Sequence, residues 1–137
     1  MARLAREQGV KAAMPPEGDP DWSLSHAAYL AAERRGAGRA SMLALFRKRF
    51  SEGEDLGDER VVAAALREAG LDAESVLDEA RSEPLREEAA AGWVQARERD
   101  GVFGVPSFVF AGRLYWGQDR MRFLRSAVER KLTRPTS

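Results

Sequence analysis

The chain has 137 residues, with 22 basic and 22 acidic side chains, one histidine and no cysteine. That length fits one domain with a real core, and the cancelled charge offers no bulk field to draw in nucleic acid or an anionic membrane. Without cysteine these residues form no disulfide, redox pair or thiolate metal site, the single His26 leaves no multi-histidine metal cluster, and no apolar run approaches the ~20 residues of a membrane span.

The first residues, Met1-Ala2-Arg3-Leu4-Ala5-Arg6-Glu7, carry charge through their short apolar stretch and lack a signal-peptide core, so the expected location is cytoplasmic. A short helix over 2–8 is stopped by Gly9. Pro15, Pro16, Gly18 and Pro20 then exclude a regular helix up to Trp22, which predicts a loop or linker. Ser23 or Ser25 is the expected cap of a helix to about Arg35. A helix over about 39–51 carries Met42, Leu43, Leu45, Phe46 and Phe50, and is expected as a buried bundle element. The Arg47-Lys48-Arg49 run at its end reads as a solvated helix terminus, not an RNA site.

Two short helices have clear punctuation. Asp58 opens Glu59–Ala69, closed by Gly70, and Asp72 opens Ala73 to about Arg81. Ser82 is the expected cap of a longer helix, with Pro84 in its first turn. It runs to about Asp100 and sets Leu85, Ala89, Trp93 and Ala96 along one inner stripe. Gly101 ends it.

The terminal stretch differs. Ser107–Ala111 and Arg113–Trp116 are rich in aromatic and branched residues, and Ala111-Gly112 between them predicts a hairpin. Phe108 and Phe110 share one face with Val109 opposite; Leu114 and Trp116 share a face opposite Tyr115. Apolar side chains on both faces predict a sheet covered on both sides. The last helix, about 119–131, is expected to turn Met121, Leu124, Ala127, Val128 and Leu132 inward.

Candidate chemistry is confined to this stretch. Pro106 can simply start a strand; a cis bond after Val105 would instead leave the Val105 N–H and C=O free at the sheet edge for an extended peptide. Gln118 and Asp119 open a helix whose N–H groups favour anions, and their side chains can meet an ammonium and a carboxylate. Asp119 can equally act as a helix cap. Phe103, Tyr115 and Trp116 are expected in the core before they are expected as pocket walls, as is Trp93. His26, without an evident partner carboxylate, is expected to face solvent or hold a hydrogen bond.

Gly104-Val105-Pro106-Ser107-Phe108, the hairpin, and Trp116-Gly117-Gln118-Asp119-Arg120 together resemble the C-terminal part of one group of proteins. It comprises the 2-hydroxychromene-2-carboxylate isomerases and kappa-class glutathione transferases of the DsbA-like thioredoxin-fold superfamily. The resemblance covers most of the chain. It implies an α/β, incomplete thioredoxin-like fold: an N-terminal helix and Pro-rich loop (1–22), a helical domain (23–100), a ββα half (101–132) and a tail (133–137). It also implies a cis Val105–Pro106 bond and glutathione as cofactor. Val105 and Pro106 would align the tripeptide backbone, and Gln118 and Asp119 would hold its γ-glutamyl end.

The departure from the group is the N-terminal βαβ half, which carries a catalytic serine or, in redox relatives, Cys-x-x-Cys. Ser23 and Ser25 do not match that position, so no catalytic residue is assigned. The expectation is therefore a glutathione-dependent isomerase-like protein with half a site, acting on a small aromatic-derived acid. Open beside it are a non-catalytic module that associates through its open sheet edge or as a homodimer, and a disulfide oxidoreductase relative. The lack of cysteine opposes the last.

Overall fold

The computed structural model describes residues 2–13, 18 and 20–133. The Pro15-Pro16 part of the expected loop and tail residues 134–137 lie outside these. The chain divides into two compact units, Met1–Ala90 and Ala91–Ser137.

The first unit holds α1 (Ala2–Glu7), α2 (Trp22–Arg34), α3 (Gly38–Phe50), α4 (Glu59–Glu68), α5 (Ala73–Ala80) and the first turns of α6 (Glu83–Asp100). Helix α2 packs on α3 and α5, and α4 packs on the same two helices. Ala27, Ala28, Ala31 and Ala32 on α2 are fully buried, and side chains this small let the neighbouring helices approach closely. Val62 and Leu66 from α4, Val76 and Leu77 from α5, and Leu85 from α6 fill the space between them. Each fully buried Leu or Val stabilises the unit by about 1.5–3 kcal/mol.

Aspartates set the starts of three of these helices. Asp21, Asp58 and Asp72 accept the backbone N–H two residues on, at 2.9, 2.9 and 3.2 Å. The expected serine cap of α2 is corrected by this: Asp21 takes the role, Ser23 donates its N–H to it, and Ser25 is buried with its hydroxyl on Trp22 O (3.1 Å).

Helix α3 also departs from expectation. It buries Ser41, Ala44, Leu45 and Arg49, whereas Met42, Leu43, Phe46 and Phe50 are exposed. The alanine face of α2 leaves room for small side chains, so the phenylalanines turn outward and stack on each other at 5.7 Å. The basic run splits. Arg47 and Lys48 share Glu52 and Glu68, while Arg49 is buried over the Trp22 ring (5.8 Å) with its Nη2 on Gly18 O (3.5 Å).

The second unit holds the rest of α6, strands β1 (Ser107–Phe110) and β2 (Arg113–Trp116), a 3-10 turn over Gln118–Arg120, and α7 (Met121–Leu132). The strands form an antiparallel pair with Phe108 opposite Tyr115 and Val109 opposite Leu114. Cross-strand partners share a face, so Phe108, Phe110 and Tyr115 lie on one side and Val109, Leu114 and Trp116 on the other. The first side is the better covered: Tyr115 is buried, both phenylalanines are half-buried, and Lys131 of α7 lies 5.4 Å from the Phe110 ring centre. The second is open, with Val109 and Trp116 exposed and Leu114 half-buried, so the two-sided covering is not present. Helix α7 contributes Leu124, Ala127 and Val128 as half-buried residues; Met121 and Leu132, expected inside, are exposed. Trp93 on α6 is exposed as well.

Candidate functional site

The loop Gly101–Pro106 runs into β1 through a cis Val105–Pro106 bond. Ser107 Oγ–H donates to Gly104 O at 2.5 Å and closes the loop. Gly117, at the end of β2, donates its N–H to Pro106 O at 2.9 Å. That bond ties the proline loop directly to the turn that begins at Gln118.

Val105 is 78% exposed, and neither its N–H nor its C=O makes a hydrogen bond among the described residues. A free donor and acceptor on one exposed extended residue can pair with the backbone of an incoming peptide. Beside them, the Gln118 carboxamide has no partner among the described residues, and the Asp119 side chain is 79% exposed with Arg120 Nε 3.8 Å from Oδ2. The expected capping role of Asp119 is not realised, since α7 (Met121–Leu132) has Arg120 at its N-cap position and no side-chain cap. The carboxylate instead sits against Gly117, whose backbone has φ +90°, where a Cβ would lie 2.6 Å from Asp119 Oδ1. Glycine is favoured there by conformation. The Pro106–Gly117 hydrogen bond thus joins the segment that carries Val105 and Pro106 to the one that carries Gln118 and Asp119.

Two aromatic residues expected in the core lie beside the same loop. Phe103 is 68% and Trp116 51% exposed, and their ring centres are 5.0 Å apart at 49°. Tyr115 alone of the three is buried, under the guanidinium of Arg113. Gly104 makes the arrangement possible: a Cβ on it would lie 2.8 Å from Trp116 Nε1. A glycine between an aromatic residue and Val-Pro was the available signal in the sequence, and it becomes informative only once Trp116 is known to fold back over that backbone.

The first unit offers less. Its open depression, lined by Lys48, Glu54, Asp58, Arg60, Val61 and Ala64, has its cations engaged: Lys48 with Glu52 and Glu68, and Arg60 with Asp58. These contacts hold the Glu68 and Asp58 carboxyls below the usual carboxylate range, chiefly through the hydrogen bonds from Lys48 and Arg60 respectively. His26 stacks on Trp22 at 5.9 Å, and partial desolvation lowers its pKa. Among the described residues no helix is long and apolar enough to cross a membrane.

Comparison with known proteins shows the family. The family model for the DsbA-like thioredoxin domain matches residues 1–129. The 2-hydroxychromene-2-carboxylate isomerase of Sphingobium xenophagum is 30% identical over 106 residues, which make up 77% of this chain and 52% of that protein. The chain spans about half the length of this curated relative.

Proposed function

Because the chain belongs to the DsbA-like thioredoxin domain family, we propose that its second unit is the glutathione-gripping part of a 2-hydroxychromene-2-carboxylate isomerase-like protein. The observation that carries the reading is the pair of unbonded peptide groups on exposed Val105, next to Gln118 and Asp119. In this proposal the Val105 N–H and C=O take the tripeptide backbone in an antiparallel pair. The Asp119 carboxylate accepts from the γ-glutamyl ammonium, and the Gln118 carboxamide donates to its carboxylate.

Bound glutathione would supply a sulfur nucleophile for reversible addition to an unsaturated aromatic-derived acid, with no net redox change. The residues described here hold and orient. Ser107, the serine in the proline loop, is engaged with Gly104 O. The proposal therefore assigns thiolate stabilisation to the βαβ half found in the resembling group. The absence of cysteine from residues 1–137 leaves no thiol pair here for a disulfide oxidoreductase.

A second reading rests on the open Val109/Trp116 face of the hairpin and the outward Phe46/Phe50 stripe of α3. Exposed apolar surface of this kind suits association, and a non-catalytic association module would use it. Isothermal titration separates the two. Glutathione is expected to give saturable heat that Asp119→Ala weakens by about tenfold or more, the loss of a charge-assisted hydrogen bond. No heat with the parent chain would leave the association reading, which sedimentation would then show as a concentration-dependent oligomer. An isomerase assay on residues 1–137 alone is expected to be blank; turnover would overturn the assignment of the thiolate-stabilising group.

A further inference from the structure

We propose that Ser107 is a positioning residue: its hydroxyl holds the peptide between Gly104 and Val105 in one orientation, so that the Val105 N–H is presented to the backbone of glutathione. The inference rests on the glutathione reading and goes beyond it by naming the group that sets this donor in place without itself touching the ligand.

The Gly104 C=O and the Val105 N–H belong to one planar peptide, and that bond is trans. A trans peptide points its oxygen and its hydrogen in opposite directions, so whatever fixes the Gly104 oxygen also fixes the Val105 N–H. Ser107 Oγ–H donates to that oxygen at 2.5 Å, which turns the N–H away from the serine. The constraint matters because Gly104 has no Cβ, and its own torsions leave the plane freer to rotate than any other residue would. A carbonyl that accepts a hydrogen bond also makes the N–H of the same peptide a better donor.

The neighbouring contacts leave Val105 as the free point of the loop. Gly117 N–H holds Pro106 O at 2.9 Å, so the peptides on either side of the Val105–Pro106 bond are both held. Between these two clamps Val105 is 78% exposed, and its N–H and C=O stay unbonded among the described residues. No side chain on residue 104 can do the holding, because a Cβ there would meet Trp116 Nε1 at 2.8 Å. Ser107 is half-buried with its Oγ–H spent on Gly104, so its effect on a ligand runs through Val105. The first residue of a strand needs no hydroxyl for pairing, and Ser107 opens β1.

The test uses the full chain with Ser107→Ala, Ser107→Val and Ser107→Thr, the last two alike in shape and different in the hydroxyl. Calorimetric titration with glutathione is expected to weaken about fivefold in the Ala and Val variants, the order of one hydrogen bond. Ser107→Thr is expected to restore the parent's affinity, and the urea midpoint is expected to stay at the parent's value in all three. With selective 15N-valine labelling, the Val105 amide is assigned by its loss in Val105→Ile. Without ligand, its heteronuclear NOE is expected to fall in the Ala and Val variants and to recover in the Thr variant, as the peptide plane is released and held again. Parent binding that Ser107→Ala leaves unchanged overturns the positioning role and leaves the glutathione reading standing. A loss that Ser107→Thr does not restore, or one that follows a lowered urea midpoint, shows a merely structural serine and overturns it too. If the parent gives no heat, the glutathione reading fails, and the Val105 amide decides the serine separately: an unchanged NOE in Ser107→Ala overturns the hold on the peptide plane, and a fall that Thr reverses upholds it.

Discussion

The two units differ in where their side chains are spent. In residues 1–90 the apolar side chains converge on a shared core, and most cations on the helices are matched: Arg34 and Arg35 on Glu79, Arg47 and Lys48 on Glu68, Arg81 on Glu59 and Asp78. Among the described residues of 91–137 only Val102 and Tyr115 are buried hydrophobics, several cations are unmatched, and backbone and indole groups stay unbonded beside a proline loop. A two-stranded hairpin with one helix is marginal in isolation. The comparison assigns stability to the first unit; under the glutathione reading proposed above, recognition falls to the second, where binding groups must remain unsatisfied until a ligand arrives.

The largest effect that could break this comparison is a core truncation. Leu66 is fully buried, and Leu66→Ala is expected to cost about 2–5 kcal/mol, from lost burial and the cavity left behind. Val109→Ala, on the open face of the hairpin, is expected to cost less than about 1 kcal/mol, because its side chain is 44% exposed. Urea denaturation of the two variants measures both. Similar costs would mean that stability is not concentrated in the helical unit.

A smaller effect tests the hairpin from the other side. Ala111 sits at φ +50° in the turn between β1 and β2, a conformation that a Cβ makes unfavourable by about 1–2 kcal/mol. Ala111→Asn creates Asn-Gly, the preferred pair for a two-residue hairpin turn. It is expected to stabilise the strands by about 0.5–1 kcal/mol. Hydrogen exchange at the Phe108 and Tyr115 amides is the readout, and protection that falls instead of rising would refute the strain.

Much of this organisation was legible in the residues. Asp58 and Asp72 before apolar runs, Gly70 and Gly101 after them, and the aromatic strands around Ala111-Gly112 fixed α4, α5, the end of α6 and the hairpin. The cap of α2 was ambiguous because Asp21, Ser23 and Ser25 bracket Trp22 and each can cap; only the chain's entry angle selects Asp21. Helix α3 misled because its large apolar residues spread around the helix. The buried side was decided by the alanines of α2, a tertiary fact that periodicity does not carry. The four candidate site residues were chosen by motif and local turn chemistry. The exposure of Phe103 and Trp116 was not, since aromatic residues in short strands are usually core, and nothing local reports that one face of the hairpin is open.

The smallest effect concerns His26 in the stable unit. Partial desolvation lowers its pKa below the ordinary 6.5. The unfolded chain then binds the proton more readily than the folded one, so stability falls as pH drops below 6.5 and levels off once both states are protonated. A separate loss follows below 4.5. There Glu79, whose carboxyl is held low by hydrogen bonds from Arg35 and Arg34, and Glu68, held low by Lys48 and Arg47, become protonated and release their partners. His26→Phe keeps a ring on Trp22 and removes the titration. The variant is expected to show a flatter melting temperature between pH 6.5 and 4.5 and the parent's decline below it. If both proteins lose stability equally across the upper window, His26 is not a source of acid sensitivity, and the carboxylate pairs of the helical unit carry it alone.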